Sequence, residues 1–407
     1  MRKIVFTALC FLSVALCAET ALAAAVCEAS KTLQAVTVPG WCLSVAADEA
    51  QGLRMPRTIL WMGKKDEVDQ LLVVDMGSWE PRRGRLLLVQ IDTRKGRSEV
   101  TELLIGLDRP HGLRKGPDGR VYMGEATRIS RFAWAGKGPI ALEPVITGLP
   151  AEGRHPLKEF VFAPDRTMYL NVGAATDRCE KQSGVSVNGM PSCPEMSAAA
   201  PQAAVYHAKF SWPDGTLSSL KPFAIGLRNS MALAVHPSGA VFQAENNIDF
   251  PDENFPAEEV NHLVEGAHYG WPSCVQNRLP LNGVKADACQ KTRAPVLLVP
   301  AHAAPLHMQF SRIGFSGAAS GNALGLLMSW HGYRAAGQKL VRYKVLANGT
   351  PAGAPELLVH QWKVTDAKGN AKPGAPVAWA EDDSGSLWIA DDRNRMIVWF
   401  HRANAER

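Results

Sequence analysis

Residues 226–247 read Gly-Leu-Arg-Asn-Ser-Met-Ala-Leu-Ala-Val-His-Pro-Ser-Gly-Ala-Val-Phe-Gln-Ala-Glu-Asn-Asn. In the middle of this stretch, the turn residues Pro237-Ser238-Gly239 separate two short apolar runs, a pattern typical of a β-hairpin. The pair Arg228-Asn229 enters the first predicted strand, and an amide- and acid-rich loop follows the second. The stretch therefore predicts a hairpin that brings a cation, an amide and oxygen ligands to one end of one sheet.

A related unit recurs along the whole chain. It opens with a proline or a small residue, continues through a short strand and a turn at Pro-Asp-Gly or a similar triplet, and ends in a strand with an aromatic residue. The six starts lie near residues 56, 110, 156, 230, 305 and 376. Helical periodicity is scarce, and Gly and Pro recur between short strands. The pattern predicts an all-β fold, a six-bladed β-propeller with four-stranded blades, in which each unit's start lines the central channel.

The N-terminus has the features of an export signal. Arg2-Lys3 precede an apolar run to Cys17, and Ala21-Leu22-Ala23 matches an Ala-x-Ala cleavage pattern. We therefore divide the chain into a signal peptide (1–23), an N-terminal segment (24–54) and the propeller (55–403), and expect a periplasmic or secreted protein. No later stretch is long and apolar enough to predict a membrane span.

The cysteines fit an oxidising compartment. Of the eight in the chain, Cys10 and Cys17 belong to the signal peptide, which leaves six. They form three close pairs along the sequence: Cys27 and Cys42, Cys179 and Cys193, Cys274 and Cys289. Several connectivities are possible, and three local disulfides are the simplest. Two pairs lie in long insertions, residues 177–204 and 249–293, which we expect to be disulfide-stapled loops.

The charge pattern argues against nucleic acid as a partner. The net charge is +5 over 407 residues, and basic and acidic residues alternate without a basic block. A nucleic-acid-binding surface needs a concentrated basic patch.

Three features carry side chains that suit chemistry, and the residues alone leave two interpretations of each. His155, at the start of the third unit, is either a channel-lining histidine or a general base, since neutral imidazole accepts a proton near neutral pH. Arg228 and Asn229 either pair with an acid between blades or stabilise negative charge on a bound oxygen. The loop of residues 245–259 is either a solvated charged loop or a set of oxygen ligands suited to calcium.

The same features form three motifs of a known family. They are His155 followed by a Phe-Ala-Pro-Asp turn, Tyr169 and Gly173; Gly226-Leu227-Arg228-Asn229; and the residues from Glu245-Asn246-Asn247 to Tyr269-Gly270-Trp271-Pro272. In these motifs, and over roughly residues 55–400, the chain resembles the glucose/sorbosone dehydrogenase family, the soluble sugar dehydrogenases that use pyrroloquinoline quinone.

The resemblance implies a mechanism. His155 would remove the hydroxyl proton at the anomeric carbon of a sugar while hydride passes to the quinone. Arg228 and Asn229 would hold the cofactor and stabilise its reduced oxygen. Main-chain oxygens of Asn247 and Ile248 would bind the calcium that polarises the quinone. Electrons would then pass to a separate soluble acceptor, a cytochrome or a quinone.

Part of the family's cofactor site is altered in this chain. Where the best-studied branch has two arginines that clamp cofactor carboxylates, Gly374 and Pro376 stand here, with Lys372 nearby. The cofactor-binding lysine of that branch falls near His331 and Arg334. We therefore expect Lys372, His331 and Arg334 to contact the quinone.

The sequence thus predicts an exported quinoprotein dehydrogenase that oxidises an aldose or a sorbosone-type sugar. Two alternatives share the architecture. A calcium-dependent lactonase would need several carboxylate and amide side chains around one channel metal and no quinone. A non-catalytic propeller would bind a glycan or a protein partner, since fold alone does not fix function.

Overall fold

The computed structural model describes residue 27 and residues 33–136, 140–180, 183–187, 190–197, 200–211, 215–281, 283–314, 323–366 and 368–403. The expected signal peptide, residues 1–23, lies outside them. The regular secondary structure of the described residues is almost entirely β-strand, and six four-stranded antiparallel units follow one another. The predicted six-bladed propeller is confirmed.

The blades follow chain order, with the inner strand first. The first three blades consist of Pro56–Lys65, Val68–Asp75, Gly84–Asp92 and Arg97–Leu107; Leu113–Lys115, Val121–Glu125, Arg128–Phe132 and Glu143–Ile146; and Phe160–Phe162, Thr167–Val172, Ala204–Lys209 and Lys221–Ile225. The last three consist of Ala232–Val235, Val241–Glu245, Glu258–His262 and Leu297–Val299; Pro305–Ser311, Gly325–Trp330, Lys339–Val345 and Pro351–Thr365; and Pro376–Glu381, Leu387–Asp391, Met396–Arg402 and Trp41–Ala47.

Short elements decorate this ring. Additional strands are Leu33–Thr37 and Ala371–Pro373 on the fifth blade, Ala267–His268 on the third, and two small hairpins, Ser183–Val187 with Met190–Ser192 and Cys274–Val275 with Leu279–Pro280. The helices are Pro194–Ser197, Ala286–Gln290 and a 3-10 turn at Glu49–Gln51. Within the described residues, no helix has the length and apolar character that crossing a membrane requires.

The predicted hairpin forms as expected. Ala232–Val235 pairs antiparallel with Val241–Glu245, and Gly239 at the turn has a φ of 91°. Glycine adopts this left-handed conformation without strain. The third unit has Arg166 after Pro164-Asp165, and Arg166 takes the left-handed conformation itself, with a φ of 69°.

The core lies between neighbouring blades. In the second strand of the first blade, Leu71, Leu72, Val73 and Val74 are all fully buried. A continuous apolar run is what a strand covered on both faces requires. Between the fifth and sixth blades, buried aromatic side chains fill the interface: Trp41, Trp362, Trp379 and Phe400.

The N-terminal part of the chain closes the ring. The inner strand of the sixth blade, Pro376–Glu381, contacts that of the first, Pro56–Lys65. Trp41–Ala47 forms the outer strand of the sixth blade by pairing with Met396–Arg402. Leu33–Thr37 extends the fifth blade. The sequence analysis separates the segment 24–54 from the propeller, but two strands within it, Leu33–Thr37 and Trp41–Ala47, belong to the last two sheets.

The three local disulfides are confirmed. They join Cys27 to Cys42, Cys179 to Cys193 and Cys274 to Cys289. The first anchors the closing strand, and the other two staple the long insertions at one end of the propeller.

Candidate active site

A cavity of about 500 Å³ opens at one end of the central channel. Its walls come from the loops that precede the inner strands and the loops that follow the second strands, which meet at one end because these strands are antiparallel. Six residues singled out in the sequence line it together: His155, Arg228, Asn229, Asn247, His331 and Arg334. Their roles remain predictions, but their convergence is a structural finding.

His155 is held in one orientation by its backbone surroundings. A Cβ atom at Gly173 would lie 2.6 Å from the His155 Cβ, so this close approach requires glycine. Nδ1 lies 2.7 Å from the carbonyl oxygen of Ala174. Because a carbonyl only accepts, Nδ1 carries the proton and Nε2 is free to accept one. Burial, followed by the nearby charge of Arg228, lowers the pKa of His155 to about 3.

Arg228 is a buried and firmly anchored cation. Its Nη2 donates to Asp177 Oδ1 at 2.5 Å, and its Nη1 donates to the carbonyl of Asn246 at 2.7 Å. Burial is the largest single influence on the pKa of the Asp177 carboxyl and raises it, but the charge of Arg228 and the hydrogen bonds from Asp249 and Arg228 together outweigh burial. That pKa therefore lies below its ordinary value. Arg228 thus pairs with an acid, as the first interpretation predicts, and it also lines the cavity, while its action on a bound oxygen stays a prediction.

Asn229, next to Arg228, has a free acceptor. Its main-chain N–H donates to Glu245 Oε1 at 3.2 Å. Its side-chain Oδ1 is buried and has no hydrogen-bond partner among the described residues. A buried polar atom in this state indicates a missing partner.

Three buried carboxyls lie behind Asn247. Glu258 Oε2 accepts from the Asn247 main-chain N–H at 2.5 Å, and Glu259 Oε1 lies 3.5 Å from the Asn247 side-chain nitrogen. Burial raises the pKa of Glu245 to about 7 and that of Glu258 to about 8, and it raises that of Glu259 well above its ordinary value. No ion pair joins these carboxyls to a cation within the described ranges. The oxygen atoms of these carboxyls are of the kind that a hard cation prefers, and a bound cation would favour their ionised form.

Two predicted residues lie outside the cavity walls. The side chain of Ile248 is fully buried among Cys179, Cys193 and Trp271. The role predicted for Ile248 involves only its main-chain oxygen and does not need this side chain in the cavity. Lys372 lies on the short strand Ala371–Pro373 at the edge of the fifth blade and lines a different cavity of about 300 Å³. The structure therefore does not bring Lys372 to the other predicted cofactor residues.

Comparison with known proteins places the chain in a family. A family model described as TrAA12-like matches residues 35–403. The chain belongs to the TrAA12-like family. Among curated proteins, no match was found.

Solved structures similar to this TrAA12-like chain share its fold. A Trichoderma reesei enzyme of carbohydrate-active enzyme family AA12, in an iodide structure, is 18% identical with a TM-score of 0.67, over 91% of this chain and 98% of that one. The holo form of the pyranose dehydrogenase PQQ domain from Coprinopsis cinerea is 18% identical with a TM-score of 0.67, over 92% and 98%. The PQQ-bound aldose sugar dehydrogenase from Streptomyces coelicolor is 18% identical with a TM-score of 0.54, over 89% and 99%.

Sequence reasoning missed several cavity residues of this TrAA12-like chain. Two of them are Arg57 and Asp392: the Asp392 carboxylate bonds to Arg57 and also to the predicted residue His331, whose Nε2 lies 2.9 Å away. Arg393 and Tyr333 also line the cavity, with the guanidinium carbon of Arg393 4.2 Å from the Tyr333 ring centre. Arg57 stands at the start of the first repeat unit, which is a signal that could have pointed to the channel.

Proposed function

We propose that this chain is an oxidoreductase that oxidises an aldose or related pyranose sugar with pyrroloquinoline quinone as electron acceptor. One observation carries the proposal. In a chain of the TrAA12-like family, His155, Arg228, Asn229 and Asn247 line the same cavity. The names of the similar structures from Coprinopsis cinerea and Streptomyces coelicolor, which refer to PQQ and to sugar substrates, support the same chemistry.

The residues present fit a carboxylated quinone. The cavity volume of about 500 Å³ lies within the usual range for ligand pockets. Five arginines line it, Arg57, Arg154, Arg228, Arg334 and Arg393, against three acids, Asp249, Glu258 and Asp392. The cations suit an anionic cofactor. Arg228 and Asn229 would face its quinone oxygens, and His331 and Arg334 would lie along its other edges.

The residues also fit calcium, which takes oxygen ligands. The main-chain oxygens of Asn247 and Ile248 would hold the ion. The carbonyl of Ile248 accepts one hydrogen bond, from Phe250 at 3.1 Å, and keeps a second lone pair for a metal. A structure of the Trichoderma reesei AA12 enzyme named for calcium supports calcium as the ion.

The proposed reaction uses the chain's own groups as follows. His155 Nε2 accepts the proton of the hydroxyl on the anomeric carbon while that carbon loses its hydrogen as hydride, and the sugar becomes a lactone. When bound, the quinone supplies the two-electron acceptor and calcium acts on it as a Lewis acid. Arg228, fixed by Asp177, stabilises negative charge that develops on a bound oxygen without having to reorient.

Because the pKa of His155 is low, its imidazole is neutral near pH 7 and Nε2 can accept a proton. Because Arg228 is one cause of that pKa, an anionic ligand beside Arg228 offsets its charge and makes the imidazole more basic. His155 would therefore become a stronger base when an anionic ligand occupies the cavity.

The test is reconstitution. Purified protein is incubated with calcium and the quinone, and reduction of an artificial dye is followed with a panel of aldoses. We expect His155→Ala to lower turnover by roughly a hundredfold or more. His207→Ala, a half-buried histidine of the same blade that packs on Tyr169 and Phe223, is the matched control. Hydrolysis of lactones without quinone would instead favour the lactonase. Absence of both dye reduction and lactone hydrolysis would favour the non-catalytic propeller.

We also propose that the protein is exported and passes its electrons to a separate soluble acceptor. The three disulfides support an oxidising compartment. N-terminal sequencing of the mature protein tests the export step, with a first residue just after Ala23 expected.

A further inference from the structure

We propose that Arg393 is the carboxylate-binding residue of the cavity. Its ligand is either a carboxylate of the quinone cofactor or the carboxylate of an acidic sugar. The first source rests on the proposed function and the second does not.

The argument begins with the charges of the five cavity arginines. Four of them have a carboxylate partner: Arg57 pairs with Asp392, Arg228 with Asp177, Arg154 with Asp249, and Arg334 with Glu253. Arg393 has no ion pair within the described residues. Arg393 is therefore the one of these five that no carboxylate engages directly, and the neighbouring Asp392 acts on it only through its charge.

The Arg393 guanidinium is also only partly solvated. Its Nη2 atom is buried and has no hydrogen-bond partner in the described part of the chain. The guanidinium carbon lies 4.2 Å from the centre of the Tyr333 ring, while the Tyr333 side chain is largely exposed at the cavity rim. The contact with the Tyr333 ring stabilises the position of the guanidinium but offers no hydrogen-bond acceptor to Nη2. A buried donor without a partner is costly, and a bound oxygen removes that cost.

The neighbouring carboxylate cannot serve as that acceptor. Asp392 is bonded through Oδ2 to Arg57 and through Oδ1 to His331 at 2.9 Å. Both of its oxygens are thus engaged by other groups. Asp392 is the counterion of Arg57 and hydrogen-bonds to His331, so that Arg393 has no acceptor on this carboxylate.

The fold explains why an arginine at position 374 could not do this work. A Cβ atom at Gly374 would lie 2.2 Å from a ring carbon of Trp362, which is fully buried between the fifth and sixth blades. The side chain of Trp362 thus occupies the space that a residue at position 374 would need. The loop after Leu387–Asp391 reaches the cavity instead and carries Arg393 there.

A carboxylate is the ligand group that this arrangement fits best. The planar fork of arginine donates two parallel hydrogen bonds to a carboxylate. The aromatic ring beside it offers an apolar surface to a flat quinone or to a sugar ring. Both candidate ligands combine a carboxylate with such a surface.

The experiment measures binding rather than turnover. Two probes, pyrroloquinoline quinone and glucuronate, are titrated by calorimetry into the calcium-loaded apoprotein, into Arg393→Met and into Arg393→Lys. The matched control is Arg395→Met, two residues away, whose guanidinium pairs with Glu49 on the surface. Circular dichroism establishes that each variant is folded.

We expect Arg393→Met to raise the Kd of one probe by roughly tenfold to a hundredfold. Arg393→Lys should recover only part of the loss, because it keeps the charge without the fork, and Arg395→Met should match wild type. An effect on the quinone assigns Arg393 to the cofactor, and an effect on glucuronate alone assigns it to an acidic sugar. Wild-type protein that binds glucuronate through Arg393 but binds no quinone contradicts the proposed function and supports this inference. Unchanged affinity of Arg393→Met for both probes, or wild-type protein that binds neither, overturns it.

Discussion

At the scale of single residues, Gly173 is the point where the backbone comes closest to His155. A Cβ atom there would lie 2.6 Å from the His155 Cβ and 3.2 Å from Asn229 Oδ1. We expect Gly173→Ala to displace the imidazole and to lower turnover of the reconstituted enzyme by roughly a hundredfold, because a shift of about 1 Å in a reacting group has that effect. Steady-state kinetics with an aldose measures it.

The control for Gly173 is a glycine that is crowded elsewhere. A Cβ atom at Gly325 would meet the Arg342 guanidinium at 2.5 Å, in the fifth blade and outside the cavity walls. Gly325→Ala is therefore expected to cost stability, about 1–3 kcal/mol for overpacking, with turnover near the wild-type value. Equal turnover in the two variants would contradict the positioning role of Gly173.

Single residues also mark the limit of what the sequence could predict at the site. His155, Arg228 and Asn229 stand at the starts of repeat units, and the propeller turns these starts toward one channel mouth. Arg393 follows a strand without any local sign of its role. Its importance depends on Trp362, just over thirty residues earlier, whose ring excludes a side chain from position 374. Such packing is visible only in three dimensions.

At the scale of elements, the segment that links His155 to the inner strand Phe160–Phe162 depends on a buried lysine. Lys158 is fully buried, and its Nζ donates to the carbonyls of Pro150 and Pro156, both at 2.7 Å. No carboxylate pairs with it among the described residues. Burial, followed by the charge of Arg109, lowers its pKa from 10.5 to about 7.

This pKa predicts a pH-dependent stability. Between about pH 7 and pH 10.5 the unfolded chain holds the Lys158 proton more tightly than the folded chain does. The free energy of unfolding should therefore rise with pH in that window, by up to about 1.4 kcal/mol per pH unit from this group. Lys158→Met removes the contribution, so its stability should rise less steeply between pH 7 and pH 9.5 than that of wild type. Urea denaturation at several pH values measures both slopes.

The matched lysine is Lys209, which is mostly exposed at the edge of the same blade. Lys209→Met should keep the wild-type slope. If Lys158→Met keeps it as well, the buried ammonium does not set the pH dependence of stability.

At the scale of the whole molecule, the number of blades could be predicted from the sequence because similar local sequence patterns recur from blade to blade. Turn residues and short apolar strands mark the units that start near residues 110, 156, 230 and 376, and the units near 56 and 305 are weaker copies without a turn triplet. The inner strands begin at residues 56, 113, 160, 232, 305 and 376, close to the predicted positions. The strand pairing that closes the ring could not be predicted in the same way. It pairs Trp41 with Arg402 and Leu43 with Phe400, and nothing in the local pattern of residues 41–47 indicates so distant a partner.

This closure predicts how the molecule fails when its N-terminal strands are removed. A chain that begins at residue 48 lacks both Trp41–Ala47 and Leu33–Thr37, so Met396–Arg402 becomes an unpaired edge and Phe400 loses the stacked Trp41 ring, 4.8 Å away between centroids. An exposed edge strand with uncovered apolar side chains invites aggregation. We expect this chain to be insoluble or to bind a hydrophobic dye, whereas a chain that begins at residue 27 melts cooperatively like the full mature protein. A peptide of residues 33–47 added in excess should restore part of the soluble, folded fraction. Equal melting temperatures for the two truncated chains would mean that the ring is held closed by its inner strands alone.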